Sequence, residues 1–420
     1  YVIISYLLTV ALLVPISGWV AERFGVKKVF IVAVFIFTLG SLLCAFSPGL
    51  KFLIFSRVVQ GLGGALMMPV GRLAAISAYP KNEMVRVLSF ITIPALVGPI
   101  LGPVIGGIIV QYFHWSWVFL INVPIGIICV IATYFTMQSG GQLGKSKFDW
   151  RGFTLFSIAI ASITLGLESF DSPDAFWTTP GMLFAIGGIF LLLYTQFAFS
   201  HPFTALFGVR MFFKKSFSIG ILTNVVSRIG SGAFPFITPL LMQTAMGYSP
   251  LKTGLTMLPA GIASIIAKTT IDPILNRMGY RRFLTLNTIL LGLLLAAFAF
   301  IGNDTPYWFF IVLLMVFSTI NSMQFTAMNA LTLIDLPVRD MGDGNSLLSV
   351  IMQISMSVGI AAATAFLAWF GGDNAAQGSP EIMRAFQLTY ICLGATALLS
   401  SLIYITPLSR GIVSKPSAQK

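Results

Sequence analysis

Charge is scarce in this chain. Only 9% of its 420 residues are Asp, Glu, Lys or Arg, against 57% hydrophobic. A soluble globular domain carries about 25% charged residues, so a soluble fold is excluded. Histidine is nearly absent, with His114 and His201 far apart. The three cysteines, Cys44, Cys129 and Cys392, each fall inside an apolar run. Without CxxC or Cys/His spacing there is no zinc motif and no disulfide framework, and the thiols read as small packing residues. No G-x-x-x-x-G-K-[ST] run occurs, which disfavours a nucleotide-driven pump. Acids number 13 against 25 bases, and every acid lies at or beyond the end of an apolar run. A membrane enzyme or receptor would need clustered His, Asp and Glu or a large polar domain, and the sequence offers neither. No cofactor and no metal are expected.

What the chain has is apolar length. Its mean hydropathy is +0.92, and runs of about 20 residues, enough to cross a bilayer as a helix, recur throughout. They lie near 1–20, 29–47, 52–79, 87–112, 117–138, 152–170, 181–200, 216–242, 253–271, 283–301, 307–335, 345–370 and 385–406. The runs are continuous rather than alternating, which excludes a transmembrane barrel. An all-α polytopic membrane protein is the expected fold class. The connections alternate in charge: one set holds 18 Lys and Arg, the other only Lys51, Lys252 and Arg384. That bias fixes orientation and accounts for the net charge of +12 without a nucleic-acid partner. The bilayer is the partner.

An internal repeat organises the runs. GWVAERFGVKK at 18–28 and DPILNRMGYRR at 272–282 match at a constant offset, setting Arg23, Gly25, Lys27 and Lys28 against Arg277, Gly279, Arg281 and Arg282. Two basic loops after membrane helices would explain the charges but not the matched glycine. Repeats of this kind build many transporters, with the substrate site where the halves meet. The expected domains are an N-terminal bundle at 1–138, a polar linker with two inserted helices at 139–215, a six-helix bundle at 216–410, and a cytoplasmic tail at 411–420. With the tail inside, thirteen crossings put the start outside. A further helix before residue 1 would restore an even count and give the first bundle six helices.

Four cations lie within apolar runs: Arg57, Arg72, Arg228 and Lys268. Each costs about 2.5–3.5 kcal/mol near the bilayer centre on insertion scales. Arg72 and Lys268 sit near cytoplasmic ends and can snorkel. Arg57 and Arg228 are deeper and should face a wet cavity or a partner acid. Glu168 is the acid most nearly embedded, although a solvated helix end is its simpler reading. Asn224, Arg228 and Ser231 share one helical face. With Asn321, Gln324, Asn329 and Gln353 they either line a substrate path or bond between helices. In LVGPILGPVIGG at 96–107, Gly98, Gly102 and Gly106 recur every four residues and so line one face, beside Pro99, Pro103 and Gly107. Small residues at that spacing admit a close neighbour in lipid, and the helix at 253–271, with Gly254 and Gly261, is the expected one. A sliding contact and a static seam both fit. Glu22, Arg23 and Lys27 read as a cytoplasmic latch or as a topology signal alone.

Several of these segments carry a resemblance. GWVAERFGVKK resembles the loop signature of the major facilitator superfamily, and SRVVQGLGGALMMPVG at 56–71 its fourth-helix signature. GPVIGG at 102–107 matches the fifth-helix signature of its proton-driven exporters, and WSWVFLINVPIG at 115–126 resembles the fourteen-helix drug:proton antiporter branch. RIGSGAFPFITPLLMQ at 228–243 and GNSLLSVIMQISMSVGI at 344–360 resemble multidrug resistance members. The resemblance implies two six-helix bundles with two inserted helices, and proton-coupled export of small molecules by alternating access. It ties Arg57 to proton coupling through the effect of one charge on a neighbour's protonation; the acid concerned is expected first on the family's helix 1 and, among these residues, at Glu168. The cytoplasmic gate it implies comprises Gly18, Glu22, Arg23, Gly25, Lys27, Arg277, Gly279 and Arg281. The antiporter helix comprises Gly98, Gly102, Pro103, Gly106 and Gly107. A monomer in the bacterial inner membrane, driven by the proton gradient, is expected. The chain departs from the pattern at Glu22 for the usual aspartate, Val26 for a basic residue, Ser116 for an arginine and Asn276 at the acidic place of the second loop. The family's helix 1, with its embedded aspartate, is not among these residues. Two deep arginines without an embedded acid favour, as an alternative, a small anion or metal chelate such as citrate. A truncated, inactive paralogue is the other alternative.

Overall fold

The computed structural model describes residues 2–78, 98, 101–137, 148–169, 179–201, 205–302, 304–337, 341–371 and 378–405. Every regular element among them is helical. We number the helices α1 (Val2–Phe24), α2 (Val26–Ala45), α3 (Leu50–Ala78), α4 (Leu101–Tyr112), α5 (Trp117–Thr136), α6 (Trp150–Glu168), α7 (Thr179–Ser200), α8 (Lys215–Ala245), α9 (250–278), α10 (280–297), α11 (Tyr307–Leu333), α12 (Met341–Gly371) and α13 (Pro380–Ile405). Eleven described helices are long and apolar enough to cross a membrane, while α4 and α6 are shorter apolar helices. The linker at 139–147, Pro99 and the tail lie outside the described residues.

Local chemistry sets the helix starts. Ser249 and Ser379 each precede a proline that opens a helix, and their hydroxyls accept from the amides of Lys252 (3.2 Å) and Ile382 (3.3 Å). A serine N-cap followed by proline at the first helical position satisfies one orphan amide and removes another. Asp149 caps α6 without a following proline, its Oδ1 accepting from Gly152 N at 2.8 Å.

Three expected boundaries shift. The segments 18–28 and 272–282 are not loops, because helix runs through each and is broken only at Gly25 (φ 87°, ψ 135°) and Gly279 (φ 73°, ψ 157°). Left-handed φ with extended ψ is essentially restricted to glycine. The repeat's matched glycine is thus the one residue type able to turn the chain between two helices there. The run expected as one helix at 216–242 is interrupted near Gly232–Ala233 and closes in a π-turn at Leu241–Ala245. Pro235 and Pro239 lack the amides a regular helix needs, and a widened turn is a usual accommodation.

The helices gather into two compact units, described separately. The first comprises Tyr1–Gly98, Tyr112–Glu168 and Gly181–Gly208; the second comprises Pro99–Gln111, Ser169–Pro180 and Val209–Lys420. In the first, α2 packs along α3, with α1 against α3 and α5 against α2. A side chain at Gly40 would strike the Gln60 backbone, and one at Gly63 the backbone of Ala33 and Phe37, so bare backbone brings α2 and α3 together. The pair α6 and α7, apart from the first two residues of α7, belongs to this unit and is clasped at one end. Asp149 Oδ2 accepts from Leu206 N at 2.9 Å, and Tyr194 Oη accepts from Phe207 N at 3.0 Å, with Phe156 and Phe207 packed edge to face. In the second unit α8 contacts α11, α12 and α13. Its core is aromatic: Phe234 stacks on Phe317 at 3.9 Å between centroids, Phe298 stacks on Tyr390 at 5.2 Å, and Thr238 shares a 2.8 Å hydrogen bond with the Tyr390 hydroxyl. Large apolar side chains such as Phe35, Phe55, Ile128, Phe135, Leu192 and Leu293 stay exposed, as lipid-facing surfaces must.

Candidate transport site

Each unit embeds one arginine among neutral groups. In the first, Arg57 on α3 donates from Nε to the Val2 carbonyl (3.1 Å) and from Nη1 to Gln60 Oε1 (2.5 Å). Gln60, one helical turn on, is buried and donates to Ser41 Oγ at 2.7 Å; Ser41 in turn donates to the Phe37 carbonyl. The guanidinium lies 4.4 Å from the Tyr6 ring centroid and 5.9 Å from that of Phe119. Four helices thereby fix one cation through dipoles and ring faces. Among the described residues none of its partners is a carboxylate. Glu168, the acid considered for it, ends α6, and its side chain lies outside the described residues.

Arg228 on α8 is the deep arginine of the second unit. Its Nε donates to Asn224 Oδ1 at 3.4 Å, its Nη2 lies 3.3 Å from Met352 Sδ, and its guanidinium is 4.6 Å from the Phe325 ring. Asn224 is fully buried, and its Nδ2 donates to the Gly220 carbonyl (2.9 Å) and reaches Thr332 Oγ1 (3.5 Å). That leaves the Asn224 oxygen for the arginine. A neutral amide, a thioether and a ring face are weak counterparts for a full charge, so this guanidinium keeps hydrogen-bonding capacity for an anionic or polar ligand.

The other polar candidates divide. Gln324 is buried and spent between helices: it accepts from Asn287 Nδ2 (2.9 Å) and donates to Thr288 Oγ1 (2.6 Å), both on α10. Of its two expected roles, bonding between helices is the one its geometry fills. Asn329 Oδ1 is buried without a hydrogen-bond partner, one turn beyond Phe325. Asn321 and Gln353 are half-buried. Sequence reasoning missed Gln60, Ser41, Asn287, Met352 and Phe325. Gln60 carried a signal, standing three residues after Arg57; the others join only through the tertiary fold.

The glycine-rich segment at 96–107 meets its expected neighbour on a different face. A Cβ at Gly107 would collide with the Pro250 carbonyl, and one at Gly254 with the Pro103 carbonyl; Gln111 Oε1 also accepts from Leu251 N at 3.1 Å. The backbones of α4 and α9 therefore touch at Pro103 and Gly107. Around Gly98, Gly102 and Gly106, no described atom comes within 4 Å of such a Cβ. Steps of four residues advance 400°, so each row winds round the helix, and the neighbouring row carries the contact.

At the repeated glycine-basic motif, Arg23 stacks over Trp19 (5.3 Å) and Lys27 Nζ donates to the Tyr134 carbonyl at 2.8 Å. In the second copy Arg281 Nε donates to the Tyr404 carbonyl at 3.1 Å. Gly18 and Arg277 are exposed, Glu22 is half-buried. On the opposite side, Lys252 Nζ sits 3.6 Å over the Tyr248 ring. Burial, and after it the neighbouring Tyr307, hold the Tyr248 phenol above its ordinary range, so the ring stays a neutral platform for the ammonium.

A polytopic helical protein in two units, each carrying a half-buried, neutrally held arginine and the same glycine-basic break, belongs to the class of membrane transport proteins. The family model described as Major Facilitator Superfamily matches residues 1–360 and 220–419, and the chain belongs to that superfamily. It is 42% identical over 407 residues to the "Putative multidrug resistance protein MdtD" of Pectobacterium atrosepticum, covering 96% of this chain and 86% of that protein. The Serratia proteamaculans protein of the same name is 41% identical over 403 residues, with 96% and 84% covered. Among solved structures, a D-xylose-proton symporter superposes with a TM-score of 0.68 at 12% identity (96% of this chain, 86% of that one). The POT family transporter PepTSo gives 0.69 at 13% (96% and 88%). Those two show the fold alone. The chain is a multi-pass membrane transporter and not an enzyme.

Proposed function

We propose that this transporter is a proton-coupled exporter of small molecules, working as an antiporter by alternating access in the bacterial inner membrane, as a monomer and without a cofactor. The observation that carries this reading is the backbone contact of the antiporter segment with α9 at Pro103–Gly254 and Gly107–Pro250. Where backbone meets backbone, two helices can shift with few interdigitated rotamers to unlock, and the side-chain tie of Gln111 to Leu251 N is a single hydrogen bond. Relatives named for multidrug resistance support the efflux direction. A second reading, export of a small anion, is favoured by the uncompensated charge of Arg228.

Inside-out vesicles carrying the full-length protein under an imposed pH gradient test both. Gradient-driven uptake of a cationic dye, surviving Arg228→Ala, supports multidrug efflux. Uptake of labelled citrate, lost in that variant, supports the anion reading. Absence of gradient-dependent movement of either probe removes proton-coupled export.

A further inference from the structure

The basic residues that follow the two glycines stand at an unfavourable place. Lys27 is the second residue of α2, and Arg281 the second of α10. The first turn of a helix is the positive end of its dipole, where a cation is disfavoured. Topology does not demand that position, since Lys28 and Arg282 already mark this side of the membrane.

Their contacts supply a reason. Lys27 Nζ donates to the Tyr134 carbonyl at 2.8 Å and lies 5.4 Å from the Tyr134 ring. Arg281 Nε donates to the Tyr404 carbonyl at 3.1 Å. Tyr134 is two residues from the end of α5, and Tyr404 is one residue from the end of α13. Both oxygens lie in the last turn of their helix, the negative end of its dipole. α5 closes the first bundle of the repeat and α13 closes the second. Two residues matched by the repeat therefore reach equivalent acceptors, each within its own compact unit.

We propose that Lys27 and Arg281 are positioning residues that cap the last helix of their own bundle, tying the start of the third family helix to the end of the sixth. The cap makes the cytoplasmic end of each bundle move as one piece during transport. This differs from a latch, which would join one bundle to the other. The inference rests on the repeat and on these contacts, not on the substrate or the coupling ion.

Hydrogen–deuterium exchange on the full-length protein in lipid nanodiscs tests it. Lys27→Met should speed exchange about tenfold in peptides covering 130–137, the order expected for loss of a charge-assisted hydrogen bond, and leave 400–405 at the wild-type rate. Arg281→Met should do the converse. Lys27→Arg and Arg281→Lys, which keep a charged donor, should restore protection at both ends. Unchanged exchange at the matching helix end in the neutral variants overturns the proposal. So does simultaneous loss of protection at both ends, the signature of a latch. If a neutral variant does not accumulate, its charge-conserving counterpart decides: faster exchange there refutes the cap.

Discussion

Two side chains singled out for similar reasons have opposite energetics at the residue scale. Arg228 is held by a neutral amide, a thioether and a ring face, so its charge is poorly repaid for leaving water. Replacing it with methionine should leave the protein as stable as before or more so, which thermal unfolding checks; on the anion reading citrate uptake is lost in the same variant, and on the multidrug reading dye uptake survives. Gln324 should behave in reverse. It bonds Asn287 and Thr288 across to α10, so Gln324→Leu should lose about 1 kcal/mol, within the range measured for interhelical bonds in lipid. Transport by the folded fraction should persist. Sequence alone exposed both arginines, because a cation inside an apolar run is conspicuous. It could not separate Gln324 from a path-lining residue, since that distinction depends on Asn287 and Thr288, 37 and 36 residues away.

At the scale of elements, glycines that look interchangeable in the sequence are not. Gly107→Val and Gly254→Val place carbon onto the Pro250 and Pro103 carbonyls; overpacking of this kind costs about 1–3 kcal/mol, and both should cut the yield of active transporter. Gly106→Ala, with no described atom within 4 Å of its added carbon, should match wild type or gain slightly from alanine's helix propensity. Purification yield and uptake rate distinguish them. A parallel contrast holds at the breaks. Gly25→Ala and Gly279→Ala force a side chain into left-handed φ at about 1–3 kcal/mol each, whereas Gly18→Ala meets nothing within 4 Å. Melting temperatures should fall for the first two alone. The all-helical class and the order of the apolar helices among the described residues were legible because lipid demands long apolar runs. The breaks inside 215–245 were not, because a bend needs neighbours to settle where it falls, and the contact row of α4 was hidden by having two small-residue rows side by side.

For the whole molecule, orientation is the property most firmly written in the chain, as the excess of basic residues on one set of connections. Cysteine introduced at Lys252 should react with a membrane-impermeant maleimide added outside intact cells, and cysteine at Arg282 only after the membrane is opened; the reverse pattern would invert the topology. The grouping of helices was less legible, because chain order does not reveal that residues 99–111 pack with the second unit rather than the first. The inserted pair has a different standing. Asp149 stands just before α6 and bonds the amide of Leu206, just after α7, so the chain leaves and rejoins the rest of the fold at one point. A segment whose ends already meet can be acquired or discarded in a single splice without stretching what lies on either side. The two helices are in that sense a detachable loop of genetic text, and a chain joined directly across that one hydrogen bond should keep the fold on either side of it.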